Sequence, residues 1–382
     1  MGDNVVRIGI VGMGGVGVHH AKYIDSITGA KLTAFSSRDT GRLGAASALF
    51  PNATAFKSHD DMMTSGACDA VLIATPHYQH VPITERAFDS GLHVLVEKPL
   101  AVSLSAARVA VEASRRHPNL VFGIMLNQRT LPMNQKIKAL IAAGELGEIT
   151  RISWTATHWF RPDCYYTLSP WRATWSGEGG GVIINQCHHN LDLLYWMTGM
   201  MPRRVTAVGF LGKRHPIETE DEVSAILEYE NGAIGHFFAS TGEAAGINRL
   251  EIVGTRGKIV AENEQLILSR VGVDAKEYMR TYKEPFSAPP VTRETLPRAA
   301  PPNPDHKAIV EDFVLAVRNG KQSDDLIAPA ADDLPAMALS NAILQAGVTR
   351  EPVELPLDEA LFESFLNGMI RKSSGASKGI GL

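Results

Sequence analysis

The chain has 382 residues, 45% of them hydrophobic, and a formal net charge of −4. That length exceeds what one compact core usually covers, so two domains are expected. Lysine and arginine are scattered, which excludes a basic nucleic-acid surface and leaves the uptake of any anionic cofactor to a local site.

The first third alternates short apolar runs with amphipathic stretches. Strands are expected at Val5–Val11, Lys31–Ser36, Ala70–Ala74, His93–Val96 and Leu120–Met125, with helices at His20–Ile27, Pro82–Ser90 and Ser103–Arg116. Such alternation implies parallel βαβ units and an α/β, doubly wound Rossmann domain over residues 1–126. Beyond Gly147 the pattern changes to longer strands: Thr150–Thr157, Arg204–Leu211, Glu222–Tyr229, Ala233–Ser240 and Leu250–Val253. Period-two residues Val223, Ala225, Leu227 and Tyr229 and the Asn231-Gly232 turn point to an antiparallel arrangement. Residues 127–382 therefore read as an α+β domain with an open, mainly antiparallel sheet that binds substrate and carries oligomerisation. The face of that sheet between the polar positions Ser224 and Glu228 is a candidate subunit contact, and a homodimer or homotetramer is expected. The Pro-rich stretch Pro285–Pro304 reads as a surface excursion. Helices are expected over Asp305–Arg318 and Leu334–Ala346, the second packing back on the first domain.

Gly12-Met13-Gly14-Gly15-Val16-Gly17 matches the dinucleotide fingerprint G-x-G-x-x-G, between a strand and a helix, where the motif has meaning. Gly12 permits the tight turn, Gly14 the approach of backbone to pyrophosphate, and Gly17 close packing of helix on strand. The open N–H groups at the helix start attract the phosphates. About 20 positions on, where an acid would bind a ribose hydroxyl, stands Ser37 followed by Arg38 and Asp39. Ser37 and Arg38 can bind a 2′-phosphate, which favours NADP; Asp39, acting one step late, keeps NAD open. Thr75-Pro76-His77 follows a strand at the ligand-binding edge of the sheet. Expected cofactor contacts further include His80, Glu97, Lys98 and Asn127.

Glu97-Lys98-Pro99 ends the strand His93–Val96, at an edge where a lysine reaches both nicotinamide and a bound hydroxyl. With the fingerprint upstream, the chain resembles the Gfo/Idh/MocA family, the glucose–fructose oxidoreductase and inositol dehydrogenase relatives. The resemblance implies that Lys98 binds substrate and supports catalysis. A second motif, from Gly179-Gly180-Gly181 to Asp192, is similar to the family pattern of a glycine triplet, an acid, a histidine four residues later and then Asp. These places fall on Asn185, His189 and Asp192, with Asn185 departing from the commoner aspartate. Apolar spacing predicts one amphipathic helix from Val182 to Met197, which sets Asn185, His189 and Asp192 at i, i+4 and i+7. His189 is the acid/base candidate because imidazole titrates near neutral pH. Lys98 stabilises a developing alkoxide, and Asn185 is a hydroxyl contact.

His158, Trp159, Arg161, Tyr165, Tyr166, Trp171 and Arg172 form an aromatic and basic cluster, suited to sugar C–H faces and hydroxyls. The substrate side is thus expected to comprise Lys98, Arg129, His158, Arg161, Tyr166, Trp171, Arg172, Asn185 and His189. The expected activity is hydride transfer between NADP or NAD and a secondary alcohol of a sugar, glycoside, anhydrosugar or inositol. A non-catalytic NADP-binding regulator and an NAD-dependent glycosidase are the alternatives on the same fold. Cys68, Cys164 and Cys187 lie far apart without metal-ligand spacing, which fits a reducing compartment and no resident metal. Met1-Gly2-Asp3-Asn4 lacks signal-peptide features and no apolar run is long enough to span a bilayer. A cytoplasmic protein with no nucleic-acid or membrane partner is expected.

Overall fold

The computed structural model describes residues 5–297 and 306–376. The chain divides into two units: one runs up to Thr130 and includes the later stretch that ends at Met337, and the other begins at Leu131 and resumes at Ala338.

The first unit runs β1 (Val6–Val11), α1 (Gly15–Ile24), β2 (Ala30–Ser36), α2 (Thr40–Leu49), β3 (Thr54–Phe56), α3 (His59–Thr64), β4 (Ala70–Ile73), α4 (His80–Asp89), β5 (His93–Val96), α5 (Leu104–Arg116) and β6 (Phe122–Ile124). Its strands are all parallel, in the order β3-β2-β1-β4-β5-β6. That is the doubly wound dinucleotide order, whose topological switch point lies where β1 meets β4. The central strands are apolar on both faces: Ile8, Ile10, Val71, Leu72, Val94 and Leu95 are all buried. Helices covering both faces of a parallel sheet require this run of apolar residues rather than alternation. The first helix begins at Gly15, directly off the glycine loop and five residues before the start expected from apolar spacing. Glycines carry no periodicity signal, so the loop-to-helix junction is invisible to a pattern based on hydrophobicity.

The second unit opens with α6 (Pro132–Ala142), β7 (Ile149–Ala156), α7 (Asp163–Thr167) and α8 (His188–Thr198). It continues through β8 (Arg204–Leu211), β9 (Glu220–Glu228), β10 (Ile234–Ser240), β11 (Asn248–Gly254), β12 (Gly257–Glu262), β13 (Gln265–Val271), α9 (Ala275–Thr281) and β14 (Val291–Leu296). Helix α10 (His306–Asn319) belongs to the first unit, α11 (Asp333–Thr349) passes from one unit to the other, and β15 (Val353–Glu354) and α12 (Glu359–Ala376) complete the second. The nine strands run β14-β13-β12-β11-β7-β10-β9-β8-β15. All pairs are antiparallel except β7 with β10. The sheet is thus mainly antiparallel, as expected, and mixed at one seam, whose position alternation does not mark. One face is buried through Val205, Ala207, Ala225, Leu227, Phe237, Ile252 and Trp154. The opposite face carries Val208, Phe210, Ile226 and Ile234, all exposed.

Two expectations change. Part of the Pro-rich excursion is a regular strand, β14, paired at the sheet edge with β13; residues 298–305 lie outside the described residues. The helix expected from Val182 starts only at His188. A long-range carboxylate causes this. Glu220 accepts hydrogen bonds from Gly181 N at 2.8–2.9 Å and from Ile183 N at 3.0 Å, and Val182 N donates to Glu220 O. These captured N–H groups hold residues 181–187 in successive turns. Asn185 therefore precedes the helix on which His189 sits. No described helix is long and apolar enough to cross a membrane.

Candidate active site

Two clusters of chemistry-bearing residues stand out, one in each unit. In the first unit the loop after β1 turns at Gly12, whose φ of +97° is left-handed. A Cβ there would lie 2.6 Å from Ala74 O, and one on Gly17 would lie 1.9 Å from Gly12 O, so both positions exclude any side chain. Gly14 and Gly15 face the other way. A Cβ on Gly15 would meet nothing within 4 Å, and one on Gly14 only Arg42 Nη1 at 3.7 Å. The result is an open cradle at the start of α1, where unsatisfied backbone N–H groups favour an anion. Val16 is exposed beside it. Across the switch point, Thr75 buries a hydroxyl that has no hydrogen-bond partner among the described residues. An open cradle and an orphaned buried hydroxyl fit a dinucleotide.

Ser37 is half-buried and Arg38 exposed after β2. Asp39 is spent otherwise: it is the N-cap of α2, accepting from Arg42 N at 3.0 Å. Arg42, on the first turn of α2 and closest to Gly14, is a candidate that the sequence reading missed.

Lys98 follows β5 in a turn fixed from three sides. Glu97 accepts from His20 Nε2 at 2.7 Å, and the other ring nitrogen of His20 meets the Tyr23 hydroxyl. His80, fully buried, places its two ring nitrogens 2.8 Å from Pro99 O and 2.8 Å from Thr75 O. Leu100 N donates to Asp333 at 3.0 Å. Burial works to raise the Glu97 pKa, but the His20 hydrogen bond and the charges of His20, His306 and Lys98 outweigh it and hold the carboxyl below its usual range. Burial pushes the His80 imidazole down. His80, expected as a cofactor contact, thus joins the Thr75 loop to the Lys98 turn through backbone carbonyls. His77 is buried, with its ring 5.9 Å from that of His80. Asn127 is buried in a short 3₁₀ turn. Arg129, expected at the substrate, is buried and paired with Asp332 at 2.7 Å within the first unit.

In the second unit the turns after Gly181 place Asn185 and Gln186 just before α8, and His189 in its first turn; all three are buried. Glu178 accepts from the Asn185 side-chain amide and from Ala173 N. That carboxylate fixes the Asn185 amide with its Nδ2 toward Glu178. Glu178 is a further residue the sequence reading missed; it lies just before the glycine triplet, with no spacing rule to mark it. The segment from His158 to Arg172 folds against this helix start. Trp159 Nε1 donates to Asn190 Oδ1 at 3.4 Å, and Gln186 Nε2 to Tyr165 Oη at 3.3 Å. Arg172 donates to the same phenol oxygen at 2.5 Å. Tyr166 donates to Thr241 Oγ1 at 3.0 Å, and burial pushes its pKa up to about 12. Burial lowers the pKa of His158, as does the charge of Arg161, against the raising effect of the Ile247 backbone carbonyl as hydrogen-bond acceptor. His158, Arg161, Tyr166, Trp171, Arg172, Asn185 and His189 thus all belong to the second unit, and Lys98 and the fingerprint residues to the first.

Comparison with known proteins agrees with this division. Residues 6–124 match the family described as "Oxidoreductase family, NAD-binding Rossmann fold", and residues 134–260 match the "GFO/IDH/MocA C-terminal domain". An inositol 2-dehydrogenase of Corynebacterium glutamicum (strain R) is 28% identical over 241 residues, 60% of this chain and 65% of that protein. The chain thus spans just under two thirds of the length of that relative. An inositol 2-dehydrogenase of Rhizobium meliloti is 23% identical over 92% of this chain and 99% of its own. Among solved structures, the WlbA dehydrogenase of Bordetella pertussis in complex with NADH and UDP-GlcNAcA superposes with a TM-score of 0.76 at 25% identity, covering 94% of this chain and 100% of that one. Two matched segments that meet the chain's own division, each on the fold that its half adopts, establish that this protein is a member of the Gfo/Idh/MocA family of oxidoreductases.

Proposed function

We propose that the protein is a nicotinamide-dependent dehydrogenase of a secondary alcohol on a sugar, glycoside, anhydrosugar or inositol, and that it uses NADP in preference to NAD. The observation that carries the reading is the Lys98 turn: a lysine at the end of β5, in the unit that holds the glycine cradle, fixed through Glu97, Pro99 and Leu100. A turn held in this way fixes where the Lys98 side chain leaves the backbone before a partner arrives.

The residues assigned to the dinucleotide are Gly12, Gly14, Gly15, Val16 and Gly17 for the phosphates, and Ser37, Arg38 and Arg42 for the adenosine end. Thr75, Pro76, His77 and Asn127 serve the nicotinamide side. When bound, the nicotinamide supplies the hydride acceptor. The chain does the rest. Lys98 binds the substrate hydroxyl and stabilises negative charge on its oxygen. His189 takes the hydroxyl proton as the C–H electron pair leaves with hydrogen and the C=O bond forms. Asn185 and Tyr166 hydrogen-bond neighbouring hydroxyls. The assignment of Asp39 to the cap of α2 supports NADP, because that carboxylate is committed to Arg42 N. The three cysteines form no disulfide, and we place the enzyme in the cytoplasm.

A cofactor-reduction screen against polyols, glycosides and inositols, run with NAD and NADP separately on wild type and Arg38→Ala, tests the reading. Reduction of NADP by at least one substrate is expected, with Arg38→Ala losing about tenfold more in kcat/KM with NADP than with NAD. Tight cofactor binding without turnover on any substrate would instead support a non-catalytic regulator.

A further inference from the structure

The aromatic and basic cluster of the second unit holds more positive charge than a neutral sugar needs. Arg161 and Arg172 approach one phenol ring, their guanidinium carbons 4.9 Å and 4.4 Å from the centroid of Tyr165. Arg161 also lies 5.5 Å from the Trp159 ring, and Arg172 4.8 Å from that of Trp171. Stacking on aromatic faces holds a guanidinium in place without neutralising it. The polar partners are neutral too: Arg161 donates to Phe160 O at 3.1 Å, and Arg172 to Tyr165 Oη. Among the described residues neither arginine forms an ion pair, and each buries an Nε–H that meets no acceptor.

The carboxylates of this region are committed elsewhere. Asp163 pairs with His215 at 2.9 Å. Asp221 accepts from Lys213 N, Arg214 N and His215 N. Glu178 accepts from Ala173 N and Asn185. Two like charges on one ring, half-buried and without a counterion, repel each other, and protein charges elsewhere in the molecule are usually paired or solvated. Gln186 ties the cluster to the start of α8 through Tyr165, three residues before His189.

We propose that Arg161 and Arg172, presented on Tyr165, form an oxyanion subsite, and that the substrate is a sugar or cyclitol derivative bearing a carboxylate or phosphate group. The inference rests on the dehydrogenase reading above and narrows its substrate class. Planar guanidinium forks match both anions, and charge-assisted hydrogen bonds are about twice as strong as neutral ones.

The test sets neutral hexoses and inositol against the matching aldonates, uronates and sugar phosphates. It reads cofactor reduction and, independently, equilibrium binding by calorimetry. Wild type should favour one anionic series by about tenfold to hundredfold in kcat/KM, the better series showing which anion the subsite takes. Arg172→Gln should collapse that ratio, and Arg172→Lys, which keeps the charge but loses the fork, should restore part of it. Circular dichroism checks that each variant is folded, and a misfolded Arg172→Gln is replaced by Arg161→Gln. Preference for neutral sugars, with a ratio indifferent to both substitutions, overturns the subsite but leaves the dehydrogenase standing. Binding of an anionic sugar that weakens in Arg172→Gln, with no turnover of any substrate, keeps the subsite and sinks the dehydrogenase. Neither binding nor turnover overturns both.

Discussion

A carboxylate buried as deeply as Glu97 is stable only if something compensates its lost hydration, and His20 supplies the compensation through a 2.7 Å hydrogen bond. Because the folded pKa lies below the ordinary value of 4.5, Glu97 contributes stability that is present above that value and lost as pH falls through the folded pKa. His20→Ala leaves the carboxylate buried and without its main partner, at an expected cost of about 3 kcal/mol. Thermal melting at neutral pH should show the loss, and turnover should fall with it because the Lys98 turn loosens. Adding Glu97→Leu should recover most of the stability but not the turnover. A His20→Ala protein that melts with the wild type would show that the pair does not hold this turn. None of this was legible in the sequence: His20 and Glu97 are 77 positions apart, and a histidine in an apolar helix gives no sign of what it faces. The glycine motif, by contrast, was legible from its spacing, although the Ala74 carbonyl that excludes a side chain at Gly12 was not.

At the scale of elements, the local and the long-range part company in the same way. Strand β5 and the fingerprint helix follow from runs and spacings inside a few residues. The segment before His189 does not. Ile184, Cys187, Leu191 and Leu194 have the spacing of one helix, yet Glu220 captures the N–H groups of Gly181 and Ile183 and delays the helix to His188. Burial pushes the Glu220 carboxyl up to about 7, against the lowering effect of those same donors. The parallel seam between β7 and β10 was equally hidden, because alternation reports which face is buried but not which strand lies alongside. Alternation singled out the face of Val223, Ala225, Leu227 and Tyr229, which is buried in the core; the opposite face, with Val208, Phe210, Ile226 and Ile234, is the exposed one, and its exposure supports association through a second copy of the chain. Ile226→Glu at the middle of that face should lower the mass measured by light scattering from a dimer or tetramer to 41.3 kDa. A wild type already monomeric at micromolar concentration contradicts the assignment.

For the whole molecule, a net charge of −4 gives no general attraction for phosphates or sugar acids. Charge selection falls to local devices: the helix start after Gly14 for the dinucleotide, and two stacked arginines for the substrate. The proposed chemistry falls to two side chains, Lys98 and His189. That joint assignment is the centre of the account. The most direct test measures kcat, and cofactor Kd by fluorescence titration, for Lys98→Met and His189→Gln. Each substitution should lower kcat by about a hundredfold to ten-thousandfold, as expected for loss of an acid/base or charge-stabilising group, with the cofactor Kd changed less than about threefold. Turnover at the wild-type level in either variant, with the cofactor bound as before, would contradict the assignment.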